Sequence, residues 1–168
     1  MKRLFLAMAL ALPMFAFGAD KSGDGAFFKH AAEGGIAKVE AGKLAQSKGN
    51  SQAVKDFGSM MIKDHSAANA KLESIASSEN VSLPTSSSAT QMASKAKLEI
   101  LSGDTFDKSY IKDQIAAHEQ TAALFKKEIA SGTDAQAKAF ATETLPTVQA
   151  HLAKIRQIAA SAGVSTDK

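Results

Sequence analysis

The sequence predicts an all-α protein, a bundle of four long helices with a short extra helix in the connection between the second and third. Three observations carry that prediction. From Gly25 onward apolar residues recur at steps of three and four, the spacing that lays one stripe along a helix. No sustained period-two run rich in Val, Ile, Thr and Tyr occurs, so strands lack their pattern. Breaks at Gly49-Asn50, at a Ser-rich stretch holding Pro84, at Ser102-Gly103 and at Ser131-Gly132-Thr133 cut the chain into long segments.

The start of the chain is set apart. Met1-Lys2-Arg3 is positive and Leu4 to Ala19 is uncharged, the n- and h-regions of a signal peptide, with Ala16-Phe17-Gly18 as a small-x-small cleavage site. The competing reading is an uncleaved anchor, but these 16 residues, broken by Pro13, fall short of the roughly 18 that span a bilayer. The expected organisation is a signal peptide over 1–19 and one helical-bundle domain over 20–168, exported and periplasmic, with no transmembrane span in the mature chain. Among 168 residues there is no Cys, which excludes disulfides, thiolate metal sites, cysteine nucleophiles and lipid attachment at cysteine. Loss of Lys2 and Arg3 takes the formal charge from +3 to +1, too little for nucleic acid to be a partner.

The mature elements follow in order. A first helix is expected over Asp24 to Lys48, with Phe28, Ala32, Ile36 and Val39 on its core side and Gly34-Gly35 either permitting close helix approach or merely tolerated. A second runs from Ser51, its N-cap, to Ser78. Glu79 to Thr90 reads as a connection and Gln91 to Leu101 as the short helix, which either crosses or caps the bundle. The last two long helices cover Asp104 to Ala130 and Asp134 to about Ala162, with Gly132 suited to a left-handed C-cap between them. Pro146 removes one helical hydrogen bond and should kink the last helix a turn before His151. Helices of 25 to 29 residues rise roughly 37 to 43 Å, the proportion of a four-helix bundle.

Each of three helices carries a histidine inside its apolar stripe. His65 fills the gap in Val54, Phe57, Met61, Ala68, Leu72 and Ile75. His118 does so in Ile111, Ile115, Ala122, Phe125 and Ile129, and His151 in Phe140, Thr144, Val148, Ile155 and Ile158. Counted along their helices, all three and Glu33 fall near mid-bundle. Imidazoles joined by a carboxylate from Glu33 or Glu40 form a ligand set for zinc, iron, copper(II) or nickel, and Met61 would add a soft ligand favouring copper(I). The other reading makes each a core histidine bonded locally, for instance by Gln114 or Thr147. A di-iron carboxylate centre is disfavoured, because the residues three before these histidines are Ile62, Ile115 and Val148, where that chemistry needs Glu. Asp64 reads as a flank residue, since it diverges by about 100° from His65, and His30 as solvated. Tyr110 reads as core.

Ala31-Ala32-Glu33-Gly34-Gly35, Val39-Glu40-Ala41-Gly42-Lys43-Leu44-Ala45, Met61-Ile62-Lys63-Asp64-His65 with Asn69, Leu83-Pro84, Phe106-Asp107-Lys108-Ser109-Tyr110, His118, and Thr144-Leu145-Pro146 through His151-Leu152 occur in this order. Together they resemble the exported bacterial family of domain of unknown function 4142, over nearly all of the mature chain. The resemblance implies a ferritin-like helical bundle in the periplasm, often labelled an outer-membrane protein, and brings no established activity or functional residues. None of the alternating strands of a membrane barrel is present in the sequence.

Three readings of function stand open. One is a bundle holding a single transition-metal ion, zinc, iron or copper, through His65, His118, His151 and Glu33 or Glu40. Another is a structural or stress-related module of the cell envelope with an envelope protein as partner and no metal. The third is a pH-sensitive core that loosens below about pH 6 as imidazoles take up protons. An enzyme ranks last, since no Ser-His-Asp arrangement with motif support, phosphate loop or His-Glu-x-x-His is present.

Overall fold

The computed structural model describes residues 24–165; the expected signal peptide lies outside the described residues. Five helices and no strand occur among those described: α1 (Asp24–Lys48), α2 (Gln52–Ser78), α3 (Ala89–Glu99), α4 (Gly103–Ser131) and α5 (Ala135–Ser161). The starts are fixed by side chains. Ser51 accepts from the Val54 N–H, Asp134 from the Gln136 and Ala137 N–H groups, and Ser88 and Gln91 form a reciprocal capping box. α5 continues through Pro146.

α1 and α2 form one hairpin and α4 and α5 the other. An aspartate from each hairpin locks the turn of its neighbour. Asp107, near the start of α4, accepts the Asn50 and Ser51 N–H groups of the α1–α2 turn at 2.9 and 2.8 Å. Asp24, the first residue of α1, accepts the Thr133 and Asp134 N–H groups of the α4–α5 turn at 2.9 and 3.1 Å. The start of α4 therefore sits beside the start of α2, and the two run in the same direction. The connection over 79–102 must climb the length of the bundle, so α3 belongs to a crossover, packed on α1 and α4. This is the ferritin-like connectivity, one long crossover between two hairpins.

Two expectations change. The buried face of α1 is Phe28, Ala31, Ala32, Gly35, Lys38, Gly42 and Ala45, while Ile36 and Val39 are only half-buried. Small residues set that face because the α1 and α2 backbones touch. A Cβ on Gly42 would lie 2.8 Å from the Gly58 carbonyl oxygen, and one on Gly35 would lie 1.9 Å from Asn69 Oδ1. Gly132 is extended (φ −63°, ψ 148°), not left-handed. What excludes a side chain there is proximity, since a Cβ would fall 2.6 Å from the Glu128 carbonyl oxygen.

The core divides in two. Toward the α1–α2 turn, Val54, Phe57, Met61, Leu98, Phe106, Tyr110, Ile111 and Ile155 form one apolar cluster. Toward the other end, Phe27, Phe28, Leu72, Phe125, Phe140 and Val148 form another, with Phe27 edge-on to Phe125 at 5.4 Å between centroids. Between them lies a polar layer.

Candidate metal centre

The polar layer is built from one residue on each of three helices. His65 on α2, His118 on α4 and His151 on α5 replace apolar residues at the middle turns of their stripes, so helix packing alone brings their rings together. Ring centroids lie 5.9 Å (65–118), 5.3 Å (65–151) and 5.7 Å (118–151) apart. All three are buried, at 5%, 0% and 2% exposure. Phe57 covers them from the upper cluster, 6.2 Å from His118 and 6.3 Å from His151. A cavity of about 20 Å³ beside His65 has room for about one water-sized guest.

Hydrogen bonds around the rim fix two of the rings. His118 Nδ1–H donates to the Gln114 carbonyl at 2.7 Å, and His151 Nε2–H donates to Asp64 Oδ2 at 3.0 Å. Carbonyl and carboxylate oxygens only accept, so each proton sits on the outer nitrogen and the inner one keeps its lone pair. Those inner atoms, His118 Nε2 and His151 Nδ1, have no partner, and neither has His65 Nε2. One ring nitrogen from each histidine lies within 4.8 Å of the other two. A triangle of that size has a point within about 2.8 Å of every corner, against metal–imidazole bonds of about 2.0–2.1 Å. A backbone carbonyl and a carboxylate behind ligating histidines are the usual outer partners of a metal site.

The electrostatics keep two of the rings, His65 and His118, neutral. Burial, with Lys38 and the other two histidines adding to it, holds His65 well below the usual imidazole range. Burial and then Lys38 push His118 down to about 3, against the pull of the Gln114 carbonyl. Lys38 is itself buried, donates to Thr121 Oγ1 at 2.8 Å, and is pushed down to about 8 by desolvation.

Of the five residues expected to ligate, the fold brings together the three histidines. Glu33 and Glu40 are not with them. Glu33 lies against His30, Oε2 to Nδ1 at 3.3 Å, and Glu40 Oε2 accepts from Ser87 Oγ at 3.1 Å. Both line a groove between α1, α3 and α4. They miss the centre because the inward face of α1 is turned to Lys38. Met61 packs in the upper cluster, opposite Gly42 of α1. Gln114 does engage His118, through its backbone carbonyl, while Thr147 is exposed.

Sequence reasoning missed Lys38 and Asp64. Lys38 stands seven residues after Ala31 and seven before Ala45, which puts it on the small-residue stripe; its charge disguised it. Asp64 does not face His65, as expected, yet it reaches across to α5, a contact that only tertiary packing reveals.

A crossover four-helix bundle with a triad of buried, inward-facing histidines is thus the class that fold and site define. The chain belongs to the family described as Domain of unknown function (DUF4142), whose sequence profile matches residues 13–158. A crystal structure of a DUF305 protein from Streptomyces coelicolor, described as secreted, superposes with a TM-score of 0.72 at 15% identity, covering 87% of this chain and 97% of that one. CopM in its Cu(I)-bound form superposes with a TM-score of 0.68 at 12% identity, covering 82% and 96%. At these identities the likeness is one of fold. No curated protein matches the chain. No helix among the described residues is long and apolar enough to cross a membrane.

Proposed function

We propose that this protein binds a single transition-metal ion, copper(I), through His65, His118 and His151, and holds it in the cell envelope without turning over a substrate. One observation carries the reading: three buried imidazole nitrogens, one from each of three helices, share one space and have no other partner. A purely structural core would leave all three orphaned, each at a cost of about 1–3 kcal/mol. Export is supported by the charge and apolar pattern of residues 1–19.

The choice of ion follows from charge. Imidazole suits zinc, iron, nickel and copper alike. This ligand set brings no negative charge of its own. Its charged surroundings are the Lys38 ammonium and the Asp64 carboxylate behind His151, which offset one another. An ion added to this dry layer keeps nearly its whole charge, so a monovalent ion costs least. CopM, which shares the fold, was solved with Cu(I).

The test is anaerobic titration of apo protein with Cu(I) against a chromophoric competitor, and with Zn(II) in parallel. The expected result is one equivalent of tightly bound Cu(I), lost in the His65→Ala/His118→Ala/His151→Ala variant. Equal binding by that variant overturns the site. Tight Zn(II) with weak Cu(I) keeps the site and overturns the ion.

A further inference from the structure

A second cleft lies outside the histidine layer. Helices α1, α3 and α4 enclose a half-open groove of about 650 Å³, within the range of small-molecule sites, about 300–1,000 Å³. Ala37 and Ala41 of α1, Leu98 of α3, and Ala117 and Leu124 of α4 give it an apolar body.

Its polar groups are weighted toward acceptors. Neighbouring residues on α4 bring two buried oxygens without hydrogen-bond partners, Asp113 Oδ2 and Gln114 Oε1; Gln114 is only 4% exposed, and Asp113 feels the Lys97 charge through space alone. Glu33 and Glu40 add carboxylates from α1, each meeting one weak neutral donor or an exposed histidine. The two lysines of the wall already have partners, Lys38 within the groove itself. Lys95 pairs with Glu99 at 3.5 Å and Lys38 donates to Thr121. Two orphaned acceptors in an acidic, greasy cleft ask for a ligand that donates.

We propose that this groove binds a small organic cation, a primary alkylammonium of the diamine or polyamine class. An ammonium head carries three donors and no acceptor, which is what Asp113 Oδ2 and Gln114 Oε1 lack. An alcohol brings a single donor and a carboxylate none. The methylene chain covers the alanine and leucine floor, as lysine stems cover apolar surface. Glu33 and Glu40, seven residues apart, stand about 10 Å from one another along α1 and offer carboxylates of the same groove to a second ammonium. The groove shares Lys38 and Gln114 with the rim of the histidine layer, but the proposal needs no bound metal.

Calorimetric titration of the apo protein with cadaverine and with spermidine, at about 0.15 M salt to screen surface binding, tests this, with hexanoate and hexanol as ligands lacking the ammonium. Saturable one-to-one binding by the amines alone is expected. Asp113→Asn should weaken it at least tenfold, and Ala117→Leu, which narrows the groove, should weaken it as well. The triple histidine-to-alanine variant should bind as the wild type does. Absence of saturable amine binding, equal binding by hexanol, or affinity unchanged in both the Asp113→Asn and Ala117→Leu variants overturns the proposal. Far-UV spectra of each variant separate lost binding from lost fold.

Discussion

The aromatic end of the bundle and the histidine layer above it are built by the same helices on the same stripes, one or two turns apart. In the lower cluster Phe27 meets Phe28, Phe125 and Phe140 edge to face and Phe125 tilts against Phe140, an arrangement that satisfies each ring by contact alone. In the layer above, three rings of similar bulk meet at similar distances, yet each leaves a nitrogen without a partner, and a lysine is buried beside them. The first region spends its buried residues on stability. The second gives stability up, as the ion site proposed above would require.

The sharpest test exchanges the two roles. His118→Leu should abolish one-to-one metal binding while leaving the melting temperature of the apo protein unchanged or raised, because an orphaned nitrogen is replaced by apolar contact. Phe140→Ala should do the reverse, costing about 3–5 kcal/mol of stability with metal stoichiometry intact. Chemical denaturation and metal titration on the same two proteins check both. A large loss of apo stability in His118→Leu would erase the distinction between the layers.

The rim of the histidine layer comes next in size. Asp64 holds His151 with its lone pair inward, and Asp64→Asn should weaken metal binding by about 10–100-fold, measured by competition. Lys38 acts the other way. Its buried ammonium acts on His65 and His118, whose rings stay neutral, so Lys38→Met should raise metal affinity about tenfold and stabilise the apo protein by roughly 1–2 kcal/mol.

How much of this was readable beforehand depends on what fixed each residue's place. Ser51, Asp134 and the breaks near 49, 102 and 132 act locally, and the long helices follow them to within a residue or so. The three histidines were legible because apolar stripes on α2, α4 and α5 are well marked, and a polar residue inside such a stripe faces inward whatever the topology. α1 resisted for the opposite reason. Its inner face is Gly and Ala, chosen for close approach to Gly58 and Asn69, so the larger Ile36 and Val39 pointed to the wrong side. Glu33 and Glu40 then followed that error toward the histidines, and Lys38 was passed over. The crossover could not be read from level alone; Asp107 on the α1–α2 turn settles it, and nothing in its local sequence announces a partner 56 residues away.

The smallest effects separate the layers by pH. His65 and His118 have folded pKa values below the ordinary imidazole value, so the unfolded chain takes up protons that the fold refuses. Stability of the apo protein should therefore be intact above about pH 6.5 and fall as the pH drops toward the value of about 3 at His118, with a slope of up to about 1.4 kcal/mol per pH unit for each histidine. Saturating metal should keep that slope and extend it to lower pH, since ligated nitrogens refuse protons in the fold while the unfolded chain still takes them up. The far end of the bundle should respond with the opposite sign. Glu128 is pushed up to about 7 by burial and then by its neighbours Asp24 and Asp134, so the fold favours its protonated form. That contribution is complete below the ordinary value of 4.5 and is lost as the pH rises through about 7. Glu128→Gln keeps the shape without the charge, and should raise the melting temperature by a few degrees at pH 8 while changing little at pH 5. Melting curves of wild type and Glu128→Gln across pH 5–8 check this. An equal shift at both pH values would mean that packing, not ionisation, is what the substitution alters there.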